Sequence, residues 1–244
     1  MIHSPKQAHK LFITLICLEL LLVVVYGIDV WVQGATKQLH SLIDLDGEGN
    51  LPAWFSSFQL ALIAIGFLTL AARFRATKRP SRRFLRACSG FFLLLSIDES
   101  ALLHERITET LGRRYVDWVP AYLSNHPEKA IVCVLIVCGC FAAVYPQVIA
   151  MWRISSRASL IAVAGCAIYV LGAAGLESVG YKMLSGGATI QSYRVEVAAE
   201  EFFEMLGASL ILYSVMLFCI SALPRSRPAR GWQRHIKLAA QPGR

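Results

Sequence analysis

Long polar stretches are missing from this 244-residue chain: 16% of its residues are charged, 56% are hydrophobic and the mean hydropathy is +0.53. A soluble domain needs more polar surface than that. Polar and apolar residues do not alternate over about ten positions anywhere, which excludes a transmembrane β-barrel. Helices are then the only way to cross a bilayer with every backbone group bonded. The seven cysteines are odd in number and form no Cys-x-x-Cys. Cys138 and Cys140 are too close together for a zinc ribbon. With Cys17, Cys88, Cys133, Cys166 and Cys219 they fall in apolar runs and read as small buried side chains. His-Glu-x-x-His is absent, and so is the Glu-x-x-His pair of di-iron helix bundles.

What is present is a series of six apolar runs, at about 11–33, 52–72, 87–105, 130–152, 158–177 and 199–222. A helix needs about 20 mostly apolar residues to cross a bilayer. The expected fold is therefore an all-α polytopic bundle of six transmembrane helices over residues 1–224, followed by a basic tail at 225–244. The first run follows Lys6 and Lys10, as a signal peptide would. It is long, lacks a small-residue cleavage site and is expected to remain as a helix.

Acid is missing from four segments that are rich in base. These are the start (Lys6, Lys10), the second connection (Arg73 to Arg86), the fourth (Arg153, Arg157) and the tail from Arg225. All four fall on one side of a six-helix topology, so the positive-inside rule places both termini in the cytoplasm. The net charge of +8 then reads as orientation signal and contact with anionic lipid. Nucleic acid is not an expected partner, because no recognition motif accompanies the charge.

The acids gather on the opposite side. Glu48 precedes the second run, and Asp98, Glu99, His104 and Glu105 end the third. Glu177 ends the fifth, and Glu196, Glu200, Glu201 and Glu204 open the sixth. On a helix Asp98 and Glu105 share a face to within about 20°, while Glu200, Glu204 and Glu201 form one arc of about 100°. Charge at membrane depth is costly, which gives these positions a functional reading. Part of the last group can be explained by the positive end of a helix dipole. The whole set can also be a solvated rim neutralised by Arg106, Arg113, Arg114 and Arg194. Asp44, Asp46 and Glu48 resemble the start of an EF-hand loop. Phe55 stands where that loop requires Glu, so the motif is rejected. Asp29 reads as solvated. Glu19 lies deeper, where it is expected to be protonated or paired with a neighbouring helix. The second run is charge-free and reads as structural.

Carboxylates with one imidazole suit a hard or borderline divalent metal ion such as Zn, Mn or Fe. One reading is a metal-dependent hydrolase of a lipid or lipid-linked substrate at the outer face of a bacterial cytoplasmic membrane. Asp98, His104, Glu105, Glu201 and Glu204 then bind the ion, with Glu99 or Glu177 as general base on its water and Glu48 and Glu200 nearby. The other reading is a cation- or proton-coupled transporter, channel or accessory subunit in which Glu19 extends a polar path inward. Inverted repeats and paired broken spans, which mark many transporters, are not visible.

The runs Asp-Gly-Glu-x-Asn-x-Pro-x-Trp-Phe-Ser-Ser at 46–57, Ser-x-Asp-Glu-x-x-x-x-His-Glu at 96–105 and Glu-Glu-x-x-Glu-x-x-Gly at 200–207 resemble a family of bacterial six-helix integral membrane proteins. That resemblance covers most of the chain and implies the fold but no particular activity. Ser96, Asp98 and His104 are also similar to the membrane metallohydrolases related to alkaline ceramidase, which place Ser, Asp and several His around zinc. This chain departs from them in having no His in its last two runs.

Overall fold

The computed structural model describes residues 4–32, 37–47, 49–74, 80–103 and 127–222. Among these, every regular element is helical. They are α1 (Pro5–Trp31), α2 (Lys37–Ile43), α3 (Leu51–Arg73), α4 (Arg82–Ala101), α5 (Pro127–Ile154), α6 (Ser156–Val170), α7 (Glu177–Ser185) and α8 (Ile190–Ser221). A π-helical segment, Leu171–Leu176, carries α6 into α7.

Side-chain caps set the helix starts. Ser4 and Gln7 form a reciprocal capping box in front of Pro5. Asn50 caps α3 by accepting the Ala53 N–H, with Pro52 in the first turn, where its missing N–H costs nothing. Ser81, Ser155 and Thr189 cap α4, α6 and α8 in the same way. α4 stops at Leu102, whose φ of 57° and ψ of 39° are left-handed and cannot continue a helix.

Among the described residues, four stretches are long and apolar enough to cross a membrane: Pro5–Trp31, Leu51–Arg73, Ser156–Gly180 and Ile190–Ser221. They match the first, second, fifth and sixth expected runs. The third run is helical as α4, but its uncharged part lies between Arg86 and Asp98. That is roughly 18 Å of helix, against about 30 Å of hydrocarbon. The fourth run is helical within α5.

α8 is the central helix, packed against α1, α3, α6 and the π-helical segment, while α4 lies on the far side of α3. Phe12 stacks on Tyr213, and Glu19 meets Ser209, so α1 runs antiparallel to α8. Gln59 reaches Ser209 and Arg73 reaches the Cys219 carbonyl, so α3 runs parallel to it. Ala158 meets Ser214 and Tyr169 meets Gly207, so α6 is antiparallel. The bundle thus has a basic end, with Arg73 and Arg82, and an acidic end, with Asp29, Asp98 and Glu200.

Close approach holds α6 to α8. A Cβ on Gly207 would lie 2.6 Å from the Tyr169 nitrogen, and one on Gly165 would lie 2.9 Å from the Gly207 carbonyl oxygen. Small residues replace hydrophobic driving force where the surroundings are as apolar as the side chains. The buried core is Leu15, Leu60, Ile63, Met205, Leu212 and Val215. A second cluster at the basic end joins Leu70, Leu85, Met151 and Phe218.

Three expectations change. The sixth helix begins at Ile190 rather than 199, so Glu196 to Glu204 sit two to four turns inside it and the helix dipole does not account for them. The fifth does not end at Glu177, because the helical path continues through the π-helical segment to Ser185. Cys17 and Cys166 are exposed on the apolar surface rather than buried.

Candidate functional site

A polar knot occupies the middle of the bundle. Glu19 of α1, Gln59 of α3 and Ser209 of α8 are each fully buried. The Gln59 amide donates to Glu19 Oε1 at 2.8 Å and to Ser209 Oγ at 2.8 Å. The Ser209 hydroxyl donates to the same Glu19 oxygen at 2.6 Å. Three helices are tied at one point by three side chains. Glu19 Oε2 and Gln59 Oε1 are left without a partner, as is the hydroxyl of Ser56, one turn nearer the acidic end on α3. A buried carboxyl oxygen with nothing to accept from is costly, and most so when it is charged. On the basic-end side of the knot the core is closed by Leu15, Ile63 and Leu212.

Of the acids expected at the rim, Asp98 and Glu99 lie in the last turn of α4, and Glu200, Glu201 and Glu204 lie in α8 at the same end of the bundle. Glu204 packs on Gly172 of the π-helical segment, where a Cβ would come within 2.7 Å of its Cγ. Glu200 is half-buried, and its backbone carbonyl faces the same glycine. Such single π-helical turns are frequent at functional sites. Among the described residues, however, no three His, Cys, Asp or Glu side chains come together as ligands of one ion. Glu48, His104 and Glu105 lie outside the described residues, as does the side chain of Glu177, which opens α7.

A second polar group lies at the acidic end, between α1 and α2. α2 folds over the end of α1 and places His40 Nδ1 at 2.6 Å from Asp29 Oδ2. Asp29 is 4% exposed, so it is not the solvated residue expected. Nearby, the Tyr193 hydroxyl donates to Asp46 at 2.8 Å. Glu196 is 8% exposed and its carboxylate packs directly on Gly180, where an added Cβ would collide with Oε2.

The sequence reading missed Gln59, Ser209 and His40. Gln59 is the one strongly polar side chain in a charge-free run, and that was the available signal. His40 and Asp29 lie on two different helices eleven positions apart, and sequence spacing does not reveal their contact.

A helical bundle with long apolar spans and apolar side chains exposed along them is a polytopic integral membrane protein. Within that class, the chain belongs to the family described as Domain of unknown function (DUF8692), which matches residues 11–220. No curated protein and no solved structure matches it.

Proposed function

We propose that the chain is a proton- or cation-coupled membrane protein, a transporter or accessory subunit, whose coupling group is Glu19. The observation that carries this reading is the pair of unpartnered oxygens, Glu19 Oε2 and Gln59 Oε1, inside a fully buried knot. One proton on Glu19 removes a buried charge and turns an orphan acceptor into a donor. A small cation held by oxygens would serve the same purpose. Ser56 and, beyond it, Glu200 to Glu204 supply polar groups on the acidic side of the knot, while Leu15, Ile63 and Leu212 close the other side, which supports loading of Glu19 from the acidic end.

In this proposal the acidic end faces outward and the four basic segments face the cytoplasm, with six spans and both termini inside a bacterial cytoplasmic membrane. Residues 225–244 form the basic tail. The bilayer is the partner, and nucleic acid is not.

The test is covalent. Dicyclohexylcarbodiimide attacks protonated carboxyls in apolar surroundings, so the purified protein should acquire one adduct at Glu19 that is absent in Glu19→Gln. Parallel proteoliposomes with an internal pH dye should lose proton flux in Glu19→Gln. Labelling at other carboxyls with none at Glu19 overturns the reading.

The placement of Asp98 and Glu99 on α4 and of Glu201 and Glu204 on α8, at one end of the bundle, supports a second reading, a metal-dependent hydrolase of a lipid or lipid-linked substrate. There Asp98, Glu201 and Glu204, with His104 and Glu105, would hold a divalent metal ion such as Zn, Mn or Fe that activates a water, and Glu99 or Glu177 would serve as its general base. Metal analysis separates the two readings, as argued in the Discussion.

A further inference from the structure

His40 is held in a way that neither reading above uses. Its Nδ1 is 2.6 Å from a carboxylate that is itself 4% exposed and whose other oxygen, Oδ1, has no partner. A buried acceptor at that distance takes the Nδ1 hydrogen, which leaves the lone pair on Nε2. The imidazole side chain is 35% exposed, so Nε2 can be reached from outside.

Nε2 faces Asp44 Oδ2 at 3.6 Å. That is too long for a hydrogen bond. It is close to the roughly 3.4 Å that separates two ligands bound at about 2.1 Å around a tetrahedral ion. Asp44 is also held in place. The Asp46 N–H donates to its Oδ1, and the Asn50 amide donates to its backbone carbonyl at 2.6 Å. Asn50 is at the same time the cap of α3, so the turn is anchored to the bundle.

We infer that His40 Nε2 and Asp44 Oδ2 bind a borderline divalent metal ion, zinc or a close relative, with Asp29 as the positioning residue behind the imidazole. A carboxylate behind a ligating histidine fixes the tautomer and raises ligand basicity. Because no three described ligand side chains converge, water completes the coordination. The ion thus keeps open positions toward the outside of the acidic end. This inference does not depend on the role of Glu19.

The experiment titrates Co²⁺ into the detergent-purified full chain, reads its visible ligand-field absorption and then competes it with Zn²⁺. Wild-type protein should bind one Co²⁺ with a tetrahedral-type band and release it to Zn²⁺. His40→Gln and Asp44→Asn should each abolish the band. Asp29→Asn should keep the band but weaken binding about 10–100-fold, and Asp29→Glu should restore it. Monodispersity and thermal melts of the variants exclude misfolding as the cause. Wild-type protein with no band, or a band unchanged in His40→Gln, overturns the site. So does nitrogen NMR showing both His40 ring nitrogens protonated in the presence of Zn²⁺, which would make the contact an imidazolium between two carboxylates.

Discussion

The Ser209 hydroxyl donates to Glu19 at 2.6 Å while accepting from Gln59 at 2.8 Å, which makes one serine on α8 the hinge between α1 and α3. Removing it should cost stability without preventing insertion. Ser209→Ala leaves Glu19 with the Gln59 amide alone. Interhelical hydrogen bonds of this kind average about 0.6 kcal/mol and reach about 1.7. We expect the upper part of that range here, because two bonds are lost at a fully buried site. Reversible unfolding in a mixed-micelle denaturant series measures it. A variant as stable as the parent would mean the knot is not a structural tie.

Gly207 and Tyr169 make the tightest backbone approach between α8 and α6, with a Cβ on Gly207 predicted at 2.6–2.7 Å from the Tyr169 nitrogen, Cα and Cβ. No flexible chain end can yield there. Gly207→Val should push the helices apart and cost about 3 kcal/mol or more, at the upper end of overpacking penalties. Gly90→Ala is the control, because nothing lies within 4 Å of its Cβ and alanine is the better helix former by about 1 kcal/mol. Thermal denaturation in detergent should therefore separate the two in opposite directions. Equal behaviour would remove the glycine contact from the account of how this bundle packs.

The sequence made the helical class legible because six apolar runs admit few alternatives, and four of them are long spans. Helix ends were less legible. Caps at Asn50 and Ser81 follow from local chemistry, whereas the extension of α8 back to Ile190 rests on polar residues that read equally well as loop. The acid at Glu19 was visible as an anomaly, but its partners were not. Gln59 and Ser209 are 40 and 190 positions away, and only packing brings them together. The same holds for Asp29, whose burial depends on α2 folding over it. Topology alone places the ends of α4 and α8 that carry the rim acids on one side of the bundle.

Metal content should separate the two functional readings. If Glu19 is the coupling group, Asp98→Ala/Glu204→Ala should carry the same metal per chain as the parent by elemental analysis, since any ion at His40 and Asp44 is untouched. A stoichiometric ion present in the parent and lost in the double variant would instead establish the rim as a metal centre. The hydrolase reading, with lipid substrates, would then take precedence over proton coupling.

α3 and α4 are joined by a reciprocal serine pair. Ser57 Oγ donates to the Ser96 carbonyl at 2.7 Å, and Ser96 Oγ donates to the Ser57 carbonyl at 2.9 Å. The two hydroxyl oxygens are 3.1 Å apart, so each substitution also alters the other's surroundings. Contacting residues couple, and the coupling should be measurable in a double-mutant cycle. Ser57→Ala and Ser96→Ala should each cost about 0.5–1.5 kcal/mol. The double variant should cost less than their sum by about 0.5 kcal/mol or more. This pair also determines how α4 presents Asp98 and Glu99, which lie within the next turn. Both single variants should therefore perturb any property that depends on the rim and leave carbodiimide labelling of Glu19 unchanged. Strict additivity, or loss of Glu19 labelling, would show that α4 is positioned by other contacts or that rim and knot are one site.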